Sequence, residues 1–250
     1  MRTKEKTLAC LKTRAALAAP AKADSLGERE TESPGEDADG VLFSLAKVVE
    51  QRDCYTAGHC ERLAFTGVAL GVAMGLDSAS LLTIYLGGYL HDVGKVGIPD
   101  SILFKPGKLT EDEFDVMRTH TVRGEEICRP LPSFRQVLPL IRSHHERMDG
   151  TGYPDRLAGN RFPLLARVIQ TVDIYDALTN SRPYKTAYPR AKALETLEEE
   201  TARGWRDPEV TTLFVRLNKR VFSKINSYSG ASPDRSMQDS LSNLQRFLTQ

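Results

Sequence analysis

Residues 78–91 are apolar on nearly every side of a helical wheel: Leu81, Leu82, Ile84, Tyr85, Leu86, Tyr89 and Leu90 leave no continuous polar face. A helix with no side to give to water belongs at the centre of a larger assembly. Asp77 stands where its cap is needed. The run ends on His91–Asp92. An isolated carboxylate at the end of a buried helix is very costly, so Asp92 must be hydrogen-bonded, ion-paired or metal-bound.

The segments around this element also repeat apolar residues at helical spacing. Val41, Leu42, Leu45, Val48 and Val49 form one stripe, and Leu63, Phe65, Val68, Leu70, Val72 and Met74 form another after a turn at residues 56–58. Thr110-Glu111-Asp112-Glu113 has the form of a capping box and predicts a helix from 111 to about 128. A short helix is expected over 138–146, running into a glycine-rich loop at 149–159. Pro163 suits the start of a helix over 164–179. Two more helices follow, over 190–204 and from 208 to about 226. Strand-like alternation is scarce. The fold class expected is all-α, with one domain over 41–226 between a flexible N-terminal segment, 1–40, and a polar C-terminal tail, 227–250. The acidic run at 27–40 buries too little apolar area to offset its ordering entropy and reads as disordered.

Charge is balanced, 34 basic against 33 acidic residues. That is not the footprint of a nucleic-acid coat or a polybasic membrane binder. No stretch of about 18 apolar residues exists to span a membrane. Cys10, Cys54, Cys60 and Cys128 make no C-x-x-C spacing, and a reduced, cytoplasmic chain is the expectation.

The chain has five histidines: His59, His91, His120, His144 and His145. They fall on or beside four different predicted helices, and Asp173 lies within a fifth. Helices of one bundle can aim such residues at a common centre, as bundle metal sites do. Imidazole and carboxylate donors without thiolate suit Fe, Mn, Co or Zn. Taken alone, the pattern supports a single donor cluster.

His59…His91–Asp92…Asp173 resembles the four-ligand signature of the HD superfamily of metal-dependent phosphohydrolases. The stretches from His91 to Pro99, from Lys105 to Thr110, from His144 through Asp149-Gly150-Thr151-Gly152-Tyr153-Pro154, and from Asp173 to Lys185 resemble the HD-GYP family. The likeness covers roughly 41–215 and places every histidine on a motif position. It implies a compact helical bundle with a metal site at its centre. It also implies a phosphodiesterase that hydrolyses cyclic di-GMP to linear pGpG, with a further cut to GMP left open.

The resemblance further implies two divalent ions, Fe or Mn. His59, His91 and Asp173 would hold the first, His120, His144 and His145 the second, and Asp92 would bridge. Asp92 and Lys95 become the catalytic candidates, with the Lys95 ammonium reaching a phosphodiester oxygen. Lys95, Tyr153, Asp176, Arg182 and Lys185 become the substrate-binding candidates. Asp176 is one helical turn from Asp173 and is assigned to a water or to the Arg182 guanidinium. Met148 stands where the family commonly has Trp. Tyr55 stands where some members carry a glutamate for a third ion, so two ions are expected. The partners implied are cyclic di-GMP and partner signalling proteins. Two alternatives stay open: a hydrolase of another nucleotide, and a catalytically poor receptor that binds the dinucleotide and signals by contact.

Overall fold

The computed structural model describes residues 34–52, 58–181, 186–217 and 246. Among them the helices are α1 (Pro34–Arg52), α2 (His59–Ala73), α3 (Ser78–Leu90), α4 (Asp100–Leu103), α5 (Glu111–Arg118), α6 (His120–Cys128), α7 (Leu138–Ser143), α8 (Leu164–Thr179), α9 (Arg190–Ala202) and α10 (Pro208–Arg216). The described residues contain no strand, only an isolated bridge between Asp149 and Ala158.

The apolar helix α3 is the central element. Leu81, Ile84, Tyr85, Leu86 and Leu90 are all buried, against α1, α2, α7 and α8. Each such side chain contributes about 1.5–3 kcal/mol relative to exposure. α2 and α3 run antiparallel and very close, because small residues line the seam. A Cβ on Gly88 would come within 2.5 Å of the Ala64 backbone, and one on Gly67 within 2.7 Å of Ile84. Asp77 caps α3 by accepting from the Ser80 N–H at 2.8 Å. Thr110 and Glu113 form the expected capping box on α5.

Where α3 stops, the chain makes a 3-10 turn, Val93–Gly97, that docks on α6. The approach is so close that a Cβ on Gly94 would lie 1.9 Å from the His120 carbonyl oxygen. This contact carries Asp92, at the end of α3, to His120, at the start of α6.

Three expectations need correction. The helix expected over 111–128 breaks at Thr119 into α5 and α6. There the Thr119 and Thr121 hydroxyls and the His120 ring bond to the carbonyls three residues back, which interrupts the regular ladder. The helix expected over 138–146 ends at Ser143, where the His144 ring bonds the Ile141 carbonyl. Residues 34–40, read as disordered, belong to α1. The 105–110 stretch is tied to α5 by a Lys105–Glu113 ion pair and the Thr110 cap. Residues 1–33 and the tail at 227–245 lie outside the described residues.

Candidate metal centre

The ends of α2, α3, α6 and α7 bring all five histidines together. Two groups of donors result: His59, His91 and Asp173, and Asp92, His120, His144 and His145. Within each group the donor atoms lie within 4.8 Å of one another. Asp92 sits between them. Its Oδ2 is 3.3 Å from His91 Nε2, while its Oδ1 is 3.3 Å from His120 Nε2 and 3.9 Å from His144 Nε2. Asp173 Oδ1 is 3.5 Å from His59 Nε2.

The ring orientations share one cause. Nδ1 of His91, His120 and His144 each bonds the carbonyl three residues earlier, Gly88, Met117 and Ile141, at 3.1, 2.7 and 2.8 Å. A carbonyl only accepts, so the proton belongs on Nδ1 and the Nε2 lone pair faces the centre. For His59 the Nδ1 partner is Asp176 Oδ2, at 2.8 Å. Such outer partners fix the tautomer and aim of metal-ligating histidines.

The donors fit divalent cations on their own evidence. His91 Nε2 and Asp92 Oδ1 are buried with no hydrogen-bond partner among the described residues. His120 Nε2 and His144 Nε2 face each other at 3.3 Å, although both carry lone pairs. A cation resolves all three. The protonation states agree. Burial, reinforced by neighbouring imidazoles, holds His144 well below the usual histidine range. Burial lowers His145 likewise and depresses His120 against the pull of Asp92. Burial works against an ionised Asp92, but Lys95 and His91 outweigh it and hold the carboxyl well below the usual range. Asp92 is thus held as an ionised carboxylate and His120, His144 and His145 as neutral imidazoles, the forms that bind metal, while Asp92 pulls His91 upward.

The other candidate residues divide. Lys95 donates to Asp92 Oδ2 at 2.5 Å and keeps a quarter of its side chain exposed. The Tyr153 ring stacks on His145 with centroids 4.9 Å apart, and its N–H donates to the His145 carbonyl at 3.2 Å. Asp176 differs from expectation: it is buried, and its oxygens accept from His59 and from Arg62 Nε and Nη2 at 2.7 and 3.0 Å. Both its oxygens are turned toward α2, where His59 is a candidate metal donor. Arg182 and Lys185 lie outside the described residues, as does Tyr55. Met148 packs against the core, and its N–H bonds the carbonyl of Trp205.

Three supporting side chains were not singled out by any motif. Arg62 follows His59 by three positions on one helical face. The buried Glu146 carboxylate accepts from the Asp155 and Leu157 N–H groups at 2.6 and 3.0 Å, pinning the loop that carries Tyr153. The Gln170 amide, one turn before Asp173, donates to the carbonyls of His144 and Glu146. Gly152 completes the loop, since a Cβ there would lie 2.4 Å from the backbone of Glu146 and Arg147.

Comparison with known proteins places this arrangement. The HD-domain family model matches residues 45–210. The chain is 39% identical over 194 residues to the cyclic di-GMP phosphodiesterase response regulator RpfG of Xanthomonas campestris, covering 77% of this chain and 51% of that one. It is 36% identical over 181 residues to the 3'3'-cGAMP-specific phosphodiesterase 3 of Vibrio cholerae, covering 72% and 38%. It is 40% identical over 180 residues to the cyclic di-GMP phosphodiesterase PA4108 of Pseudomonas aeruginosa, covering 70% and 42%. The chain thus spans about half the length of these relatives or less. Among solved structures, the cyclic GMP-AMP phosphodiesterase V-cGAP3 of V. cholerae superposes with a TM-score of 0.62 at 18% identity, over 83% of this chain and 53% of that one. Bd1817 of Bdellovibrio bacteriovorus gives 0.55 at 19%, over 72% and 62%. At such identities these two likenesses speak for the fold.

Proposed function

The chain belongs to the HD-domain family, in its HD-GYP branch, and from that premise we propose that it is a metal-dependent phosphodiesterase hydrolysing cyclic di-GMP. The observation that carries the reading is Asp92, which turns one oxygen toward each donor group.

His59, His91 and Asp173 would hold one divalent ion and His120, His144 and His145 another, Fe or Mn, with Asp92 shared. When bound, the ions supply positive charge for a phosphodiester and acidify water. The chain's own residues do the rest. The carbonyl-bound Nδ1 atoms of His91, His120 and His144 keep those rings aimed at the centre. Lys95, beside Asp92, offers an ammonium to a non-bridging phosphate oxygen. Tyr153, held against His145, walls the second donor group and brings a phenol hydroxyl to the ligand. Arg182 and Lys185, which follow α8, are assigned to the phosphate that is not cut, where a guanidinium grips bidentately. The product is linear pGpG, with GMP after a second cut. The described residues contain no helix long and apolar enough to cross a membrane. The free thiols of Cys60 and Cys128 suit a cytoplasmic location.

The test is anaerobic purification, metal quantification, and chromatography of the products from cyclic di-GMP and 3'3'-cGAMP. Two equivalents of metal with turnover of cyclic di-GMP support the reading. A metal-replete chain that turns over neither dinucleotide overturns it.

A further inference from the structure

Three side-chain atoms are buried without a hydrogen-bond partner among the described residues: His91 Nε2, Asp92 Oδ1 and Arg118 Nε. The first two belong to the metal donors. The third does not: Nε is enclosed within an Arg118 side chain that is otherwise 42% exposed. Arg118 lines a cleft of about 540 Å³ with Asp115, Thr119, Val122 and Tyr153. The cleft abuts the second donor group. Thr119 directly precedes His120, and the Tyr153 ring that forms its wall has a face on His145.

We propose that this cleft seats a guanine base of the bound dinucleotide and that Arg118 selects guanine over adenine. The inference rests on the phosphodiesterase reading, which puts a phosphate at the neighbouring donors and so brings a base within reach of the cleft. The Arg118 guanidinium packs on the Phe114 ring, 4.4 Å from its centroid, with the Tyr153 ring to one side at 5.7 Å. Its Nη1 donates to Asp115 Oδ1 at 2.7 Å. Donors on Arg118 therefore stand beside an acceptor on Asp115. Guanine presents the complement, with O6 and N7 as acceptors and the N1 and N2 hydrogens as donors next to O6. Arginine bonded to O6 and N7 is a common guanine-specific pairing. Adenine reverses both positions, since its 6-amino group donates and its N1 accepts. Val122 and the Tyr153 ring supply apolar wall for a planar base.

Arg118→Ala, Arg118→Lys and Asp115→Asn, each checked for fold by circular dichroism and for metal content, would be compared with the native chain. The readouts are KM and kcat for cyclic di-GMP, 3'3'-cGAMP and cyclic di-AMP, together with equilibrium binding of GMP and AMP. Arg118→Ala is expected to raise the cyclic di-GMP KM roughly tenfold to a hundredfold and to weaken GMP equally, leaving the adenine ligands and the metal content unmoved. Lysine keeps the charge but lacks the fork, so it should behave like alanine. Equal shifts for guanine and adenine ligands, or full selectivity in Arg118→Lys, would overturn the assignment while leaving the phosphodiesterase reading intact. Arg118-dependent preference for GMP in a chain without turnover would uphold it and overturn that reading. A native chain that neither binds GMP over AMP nor turns over any dinucleotide would overturn both.

Discussion

His59 Nδ1 lies 2.8 Å from Asp176 Oδ2, so α8 supplies both a donor to the centre, Asp173, and the carboxylate that orients another donor on α2. Arg62 closes this arrangement with two bonds to the same carboxylate. Asp176→Ala is expected to weaken metal at the His59 group about 10- to 100-fold, the usual effect of removing an outer partner of a metal-bound histidine. The His120 group should be spared. Competition titration with Mn(II) or Co(II) reads the two affinities separately, and equal loss at both groups would count against this role.

Asp92→Ala removes the one carboxylate that faces both groups. Hydrolysis and most of the bound metal should vanish while the helical signal remains. Metal analysis alongside circular dichroism checks this, and an active, fully loaded Asp92→Ala protein would end the shared-carboxylate scheme.

Gly94→Ala places a methyl 1.9 Å from the His120 carbonyl oxygen and within 2.5 Å of the Gly124 nitrogen. The 3-10 turn must then lift from α6. Destabilisation should reach or exceed the roughly 1–3 kcal/mol typical of overpacked cores, with metal lost in parallel. Urea unfolding measures the first quantity. A variant of native stability would mean that the turn yields without cost.

Acidification should destabilise the metal-free chain. His120, His144 and His145 all have folded values below the ordinary 6.5, so the unfolded chain binds protons first. Their contribution is fully present above about 6.5 and is lost as the pH falls toward their depressed values. His91 is raised instead, because Asp92 outweighs its burial, and it works in the opposite sense. With three groups against one, the melting temperature in chelator should drop between pH 7 and pH 5. A flat or rising melting temperature over that range would contradict the neutral-imidazole assignment.

Two ions per chain are expected, not three. Tyr55 occupies the position from which a third ion would need a carboxylate, and a phenol of pKa near 10 is a poor ligand for a hard cation. Anomalous scattering from a metal-replete crystal counts the ions directly. A fully occupied third site beside the other two would refute the count.

Much of this centre was legible in the chain itself. An apolar helix ending in His91–Asp92 required a central element with an occupied carboxylate at its tip, and α3 is that element. The division of donors came with the family likeness, and the structure draws the same side chains into two clusters, with Asp92 counted in the second. What stayed hidden depends on contacts between distant segments. Spacing put Asp176 on the face of Asp173, but only the packing of α2 on α8 gives it to His59 and Arg62. Likewise Gln170 is one more polar residue on α8 until the turn at 144–146 folds onto it. The break at Thr119 was masked because the apolar stripe continues through it, while the interruption is made by hydroxyl and imidazole bonds to the backbone.

α4 and α5 contribute no buried residue to the core. Yet they occupy the stretch of chain between Asp92, shared by both donor groups, and His120, which opens the second. The segment from 100 to 118 is therefore anchored at each end by the reaction centre and free of the packing that holds the bundle together. Substitutions there should cost the fold little. On the assignment proposed for Arg118, they would alter the choice of base while leaving the two donor groups in place.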